Sequence, residues 1–217
     1  MPCAILTWIL AGAALASGRP ATDSLVFKRT YADGEKLVYH GIVTMSGSDM
    51  KLDSIVKVTV ARKTLDAKPK ITVVSATYQS TGTGVLSSPK PRDLALTLGA
   101  NNLPDDLQMK KGDNSLFPTL FIAAMTADKS IDVGQEFPVS WSSKGDIPVG
   151  IKGTGKLTGL NPAAKTAGVT WTYALSVGGM DVGACTLKCV FDVGNCSLKS
   201  CEGTLMNGMF SISIKRQ

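Results

Sequence analysis

Histidine is nearly absent from this sequence, and its scarcity limits the chemistry that the chain can support. The one histidine in 217 residues is His40. A Ser-His-acid or Cys-His mechanism would have to use it, and a metal site with two or more histidine ligands is excluded. His40 lies in an alternating segment, which is typical of a surface or edge-strand position. We therefore predict a protein without a catalytic histidine, a bound metal or a cofactor, and we expect it not to be an enzyme.

Long apolar runs are also missing. The longest, Ala4 to Ala16, is uncharged and ends in Ala14-Leu15-Ala16, a tripeptide typical of signal-peptide cleavage. A transmembrane helix needs about 20 apolar residues, and this run is shorter. We predict a signal peptide over residues 1–16, a mature domain over 17–217, a periplasmic or secreted location, and no stable transmembrane span after cleavage.

Clustered charge is a third absence. The net charge of +6 could favour an anionic partner, but the basic residues occur as scattered pairs without interleaved aromatic residues. No nucleic-acid-binding motif accompanies them, so we predict no nucleic-acid partner. The segment from Gly150 to Leu157 superficially resembles a phosphate-binding loop, yet Leu157 follows Lys156 where that motif needs Ser or Thr. Its glycines more simply mark close contacts or bulges within a sheet.

The dominant pattern that is present is alternation of apolar and polar residues, which predicts strands with one buried face. In residues 50–62, for example, positions 50, 52, 56, 58 and 60 are apolar. Similar runs occur at 25–31, 35–46, 70–80, 93–98, 135–143, 147–158, 167–177, 182–191, 196–206 and 208–215. So many strands with short connections predict a mainly β protein, an antiparallel half-barrel or sandwich.

One segment breaks the alternation. Residues 115–127 are nearly all apolar and begin with Ser115 as a candidate N-cap, which predicts a single helix. A helix that is uncharged on every face must be buried, so we expect the sheet to curl over it. The turns at Gly34 and Gly134 are similar and lie one hundred residues apart. This repeat would divide the domain into two similar lobes, 24–114 and 128–217.

Two short motifs carry a resemblance. They are Tyr31-x-x-Gly34-Glu35-x-Leu37-x-Tyr39 and residues 132–141, which read Asp-Val-Gly-x-x-Phe-x-Val-x-Trp. With the apolar helix between them, the chain resembles uncharacterised exported bacterial β-rich proteins classed as domains of unknown function. Its architecture is also similar to periplasmic lipoprotein-carrier half-barrels, in which a curved sheet wraps a helix. The first resemblance implies no catalytic residue, and the second implies a fold and not a function.

The four cysteines of residues 185–201 lack the spacing of a zinc knuckle or a redox motif. Residues 192–195 form a turn signal that predicts a hairpin. Residue numbering across that turn places Cys189 opposite Cys196 and Cys185 opposite Cys201. We therefore predict two nested disulfides, 189–196 inside 185–201, which an oxidising compartment would maintain.

Aromatic residues in the strands and helix give the only sign of a ligand. Large aromatic side chains usually pack in the core, but in a half-open sheet they could line an apolar groove. The candidates for such a groove are Phe121, Trp141, Trp171 and Tyr173. The leading functional hypothesis is an exported, non-enzymatic module that binds an apolar small molecule between sheet and helix. A structural or adhesion protein that binds another envelope protein is the alternative, and a carboxylate-dependent hydrolase is the least supported.

Overall fold

The computed structural model describes residues 23–63, 71–82, 88–104, 116–143 and 147–217. The predicted signal peptide and the predicted N-cap Ser115 lie outside these residues. The described strands are β1 (Ser24–Phe27), β2 (Lys36–Met45), β3 (Lys51–Lys63), β4 (Ile71–Gly82), β5 (Ser88–Leu98), β6 (Lys129–Asp132), β7 (Glu136–Ser142), β8 (Val149–Asn161), β9 (Thr166–Val177), β10 (Met180–Asp192), β11 (Leu198–Leu205) and β12 (Phe210–Arg216). Among the described residues between β5 and β6, there are one helix, α1 (Leu116–Ala123), and a 3-10 turn, Ala100–Asn102.

Ten of these strands form one sheet in the order β5-β4-β3-β2-β12-β11-β10-β9-β8-β7. All of its pairings are antiparallel, and it is open, because β5 and β7 are its two edges. Pro138 lies within β7, where an edge strand tolerates the missing amide donor. The predicted mainly β, antiparallel fold, consistent with a half-barrel or sandwich, is confirmed.

A separate two-stranded sheet joins β1 to β6, with Ser24 opposite Asp132 and Phe27 opposite Lys129. The sequence pattern did not predict β6. It has four residues, of which only Ile131 is buried. Such a short strand shows no alternation long enough to recognise, and its partner lies about one hundred residues away.

Alternation along the ten-stranded sheet places one face in the core. In β9, for example, Ala167, Val169, Trp171, Tyr173 and Leu175 are buried, and residues between them are partly or fully exposed. Strand β1 lies against this face through Phe27. The Phe27 ring is 4.9 Å from the Phe191 ring and 6.1 Å from the Trp171 ring, centroid to centroid.

Helix α1 is buried, as its uniform apolarity predicted. The side chains from Thr119 to Ala123 are all at most 6% exposed. The helix ends four residues earlier than predicted, because the next residues bond elsewhere. Thr126 N–H donates to the Asn101 carbonyl at 2.9 Å, and Asp128 N–H donates to the Phe27 carbonyl at 2.9 Å. No helix among the described residues is long and apolar enough to cross a membrane.

The two turns that suggested a repeat have the same hydrogen bonds. Gly34 N–H donates to the Val60 carbonyl at 2.9 Å, and Gly134 N–H donates to the Leu157 carbonyl at 2.7 Å. Both glycines have positive φ, which glycine adopts without strain. The turns are therefore locally equivalent. Strands from both predicted lobes join the same sheet, and a division into lobes 24–114 and 128–217 stays a prediction.

Candidate functional site

A cavity lies between α1 and the buried face of β2, β3 and β4. We call it the sheet–helix cavity. Most of its lining is apolar, and the apolar side chains are those of Leu37, Val58, Val74, Leu120, Phe121, Ala124 and Leu198. The centre of a water-sized molecule can occupy about 30 Å³ of it, which is room for about two waters. As the side chains stand, the cavity does not admit an acyl chain.

One end of the cavity is polar, and its central group is the Arg29 guanidinium. The Arg29 side chain is only 4% exposed, and its Nη2 lies 2.7 Å from Glu35 Oε1. Arg29 Nη1 donates to the Asn195 carbonyl at 3.1 Å and to the Thr30 carbonyl. The guanidinium also lies over the Tyr31 ring, 4.2 Å from its centroid. A buried charge of this kind is tolerated because a carboxylate and two carbonyls compensate it.

Tyr31 and Asn102 connect this polar end to the helix. The Tyr31 hydroxyl donates to Asn102 Oδ1, and Asn102 Nδ2 donates to the Ala124 carbonyl at 2.8 Å. Ala124 directly follows the last residue of α1. The polar end therefore fixes the position of the C-terminal end of α1 over the cavity.

The two tyrosine hydroxyls and the cysteine thiol that line the cavity are protonated at neutral pH. Burial raises the pKa of Tyr39 to about 12 and raises the pKa of Tyr31 further. Burial likewise raises the pKa of the Cys196 thiol. At neutral pH none of these three groups is a deprotonated nucleophile or base. Their hydrogens already bond within the protein, from Tyr31 to Asn102 Oδ1, from Tyr39 to the Leu198 carbonyl at 3.3 Å and from Cys196 to the Val26 carbonyl at 3.5 Å, so the two hydroxyl oxygens remain as hydrogen-bond acceptors. The chemistry of the lining, apolar walls with one polar end, matches a molecule with an apolar body and one polar end, for which the side chains would have to make room.

Of the four residues predicted to contact a ligand, the structure brings one to this cavity. Phe121 lines it. Trp171 and Tyr173 are 0% and 2% exposed and lie in the core, and neither lines the cavity. Trp141 is partly buried on the edge strand β7, where it borders a separate shallow groove with Ile151 and Lys152.

The polar residues of the cavity were missed as site residues, although part of their signal was visible. Tyr31, Glu35, Leu37 and Tyr39 belong to the first of the two motifs that carried the family resemblance. Tyr31, Leu37 and Tyr39 line the cavity, and Glu35 holds Arg29. That motif therefore marks the polar end of the cavity as well as the turn at the start of β2.

The predicted register of the cysteine hairpin is wrong. Cys189 lies opposite Cys201, and neither predicted facing pair occurs. The turn is longer than the one predicted: Asp192 N–H donates to the Ser197 carbonyl at 2.9 Å, and Cys196 lies within the turn with a φ of 51°. The pairing also shifts between Val190 and Phe191.

All four cysteines of residues 185–201 are buried free thiols in this structure, so the predicted disulfides 189–196 and 185–201 are not formed. The Cys196 thiol donates to the Val26 carbonyl at 3.5 Å, and the Cys185 sulfur accepts from Met206 N–H at 3.5 Å. Each of these two sulfurs therefore has its own backbone partner, at opposite ends of the hairpin. Only Cys189 and Cys201 face each other.

The three glycines of the segment that resembled a phosphate-binding loop, Gly150, Gly153 and Gly155, lie within β8, and all three mark close contacts as predicted. A Cβ on Gly155 would come within 2.6 Å of the Phe137 ring and closer to the Trp171 ring. His40 lies on the exposed side of β2, an inner strand, with Nε2 2.7 Å from Asp53 Oδ1. Neither feature belongs to the sheet–helix cavity.

Among the residues that the structure describes, no group of three or more His, Cys, Asp or Glu side chains could hold a metal ion. Comparison with known proteins found no matching family model, curated protein or solved structure.

Proposed function

We propose that the protein is an exported, non-enzymatic, envelope-associated binding module that holds an apolar small molecule between its sheet and helix α1. The observation that carries this proposal is the sheet–helix cavity, which has apolar walls on three strands and the helix and polar side chains, including the Tyr31 and Tyr39 hydroxyls, at one end. Concave sites that combine apolar walls with a few polar groups are the usual form of small-molecule sites.

The ligand needs more room than the cavity has at present, so binding must displace side chains or α1. Phe121 and Leu120 are the large side chains that α1 contributes to the lining. If they withdraw, the apolar part of a ligand would lie against Val58 and Val74 on the opposite wall of the cavity. A polar end of the ligand then meets the hydroxyl groups of Tyr31 and Tyr39.

A cavity-filling variant tests this proposal. Ala124 lines the cavity, whereas Ala184 lies exposed on β10. We expect the wild-type protein to bind N-phenyl-1-naphthylamine saturably, one molecule per chain, with a rise in its fluorescence. Ala124→Leu should abolish this binding, and Ala184→Leu, which adds the same atoms elsewhere, should leave it unchanged.

A cavity-enlarging variant tests the same site from the other direction. Phe121→Ala removes a ring from the lining, and Phe137→Ala removes an equally buried ring from the core outside it. We expect Phe121→Ala to bind the probe more tightly than the wild type and Phe137→Ala not to. Equal binding by the Ala124→Leu, Ala184→Leu and wild-type proteins would place the probe elsewhere and reject the site. If neither the wild-type protein nor any variant binds the probe, the structural or adhesion alternative would be favoured.

A further inference from the structure

We propose that Cys189 and Cys201 form a disulfide across β10 and β11 when the chain folds under oxidising conditions. The proposal concerns the hairpin and is independent of the ligand proposed above. It also differs from the pairing that the sequence spacing predicted.

The position of the two residues in the sheet carries this inference. They are direct partners in the antiparallel pairing of β10 with β11, and they are 2% and 0% exposed. Residues opposite each other in such a pair have Cα atoms about 4.5–5.5 Å apart. That separation lies within the range of about 4.4–6.8 Å that a disulfide spans, so closing the bond requires no change of register.

The thiols themselves are adjacent. The pKa of the Cys189 thiol is raised well above its ordinary value, first by burial and then by the neighbouring Cys201 thiol. The pair is enclosed by apolar neighbours on the flanking strands, since Val169 of β9 lies opposite Cys189 and Ile214 of β12 lies opposite Cys201. The indole N–H of Trp171 lies beside the Cys189 sulfur and has no conventional acceptor.

The other two cysteines are not placed for an alternative bond. Cys185 and Cys189 are on the same strand, four residues apart, which is about 13 Å. Cys196 lies in the turn, and its thiol bonds to Val26 of β1. Among the four described cysteines, the pair 189–201 is thus the one that the sheet aligns.

The reaction is a thiol–disulfide exchange with a small-molecule disulfide such as oxidised glutathione. One cysteine thiolate attacks the oxidant and forms a mixed disulfide, releasing one glutathione thiolate. The second cysteine then displaces the other glutathione. The two cysteines lose two protons and two electrons, one S–S bond forms in the protein, and the S–S bond of the oxidant becomes two thiols. Both side chains are buried in the folded protein, and burial raises the pKa of the Cys189 thiol. The exchange should therefore occur during folding, before strands β10 and β11 are buried in the sheet.

Peptide mapping of the full chain tests the pairing. The protein is unfolded with reductant, refolded in a reduced and oxidised glutathione buffer, and treated with N-ethylmaleimide in denaturant. Trypsin cuts after Lys188 and Lys199, and an aspartate-specific endoproteinase cuts before Asp192, so Cys189, Cys196 and Cys201 fall on three separate peptides. We expect two maleimide adducts fewer than in the reduced protein and a cross-link between the peptides of Cys189 and Cys201.

Matched variants complete the test. The Cys185→Ala, Cys196→Ala double variant should keep the cross-link, and Cys201→Ala should lose it without a replacement bond. If Cys201→Ala does not fold, the map of the wild-type protein decides the question alone. A cross-link of Cys201 to Cys185 or Cys196, or a full set of maleimide adducts after oxidative refolding, would overturn the proposal.

Discussion

The Arg29–Glu35 ion pair offers the sharpest test of how the polar end of the cavity is built. Glu35→Gln removes the carboxylate charge and keeps the size of the side chain. The second turn shows that an amide fits this position, since Gln135 Oε1 accepts from Asp132 N–H at 3.0 Å, as Glu35 Oε2 accepts from Ala32 N–H at 3.4 Å. The variant therefore isolates the loss of charge from the loss of the turn.

The magnitude follows from burial. The Arg29 and Glu35 side chains are 4% and 15% exposed, and breaking a buried pair costs about 3–5 kcal/mol because one charge is left uncompensated. Arg29 keeps the carbonyls of Asn195 and Thr30, so we expect the lower end, about 3 kcal/mol. For a domain of about 200 residues, this corresponds to a fall in Tm of about 6–12 °C.

The assay is urea unfolding followed by tryptophan fluorescence, with an exposed ion pair as control. Lys156 Nζ lies 3.5 Å from Glu136 Oε1, and these side chains are 47% and 60% exposed. Glu136→Gln should therefore cost about 0.5 kcal/mol or less. Adding Arg29→Met to Glu35→Gln should recover part of the lost stability, because it removes the unpaired charge. The reasoning is refuted if Glu35→Gln is no more destabilising than Glu136→Gln.

Three further predictions use the same unfolding assay. Gly153→Ala should lower the free energy of unfolding by about 1–3 kcal/mol, because the added Cβ would lie 2.5 Å from the Tyr173 Cα. Gly159→Ala on the same strand adds a Cβ with nothing within 4 Å and should cost little, so equal effects of the two variants would contradict the predicted clash. Phe27→Ala should lower the free energy of unfolding by about 3–5 kcal/mol, because the Phe27 side chain is only 1% exposed, whereas Val26→Ala, at a side chain that is 68% exposed, should be nearly neutral. A small effect of Phe27→Ala would argue against the packing of β1 on the sheet. Burial raises the pKa of Tyr39 from 10.0 to about 12, so the stability that the protonated hydroxyl contributes is complete below pH 10 and is lost as the pH rises through 12. The urea midpoint of the wild type should therefore fall over this range, and an equally steep fall in Tyr39→Phe would show that Tyr39 is not the cause.

Periodicity predicted the strands well because one face of the sheet is buried along its length. Strand β3, predicted over residues 50–62, extends from Lys51 to Lys63. The same reasoning failed for β6, since a strand of four residues with one buried side chain shows no period. Helix α1 was predicted from its apolarity, but its end was not, because hydrogen bonds to Asn101 and Phe27 end it.

The cysteine register could not be predicted from numbering because it depends on turn geometry. A non-glycine residue, Cys196, takes a left-handed conformation in the turn, and sequence rules for turns do not anticipate this. The sequence predicted an apolar ligand between sheet and helix, with Phe121 among the residues that contact it. A cavity lined by Phe121 lies there, and the ligand itself stays a prediction. Arg29 and Asn102 were not predicted, because they come from segments whose meeting depends on the whole fold.

The central claim, that an apolar molecule is held between sheet and helix, is tested most directly by native mass spectrometry. The protein would be purified gently from the cells that produce it, without detergent or organic solvent. The account predicts an adduct with the mass of one apolar small molecule on the wild-type and Ala184→Leu proteins, and its absence from Ala124→Leu. A wild-type protein that is consistently empty, or an adduct that Ala124→Leu retains, would contradict the claim.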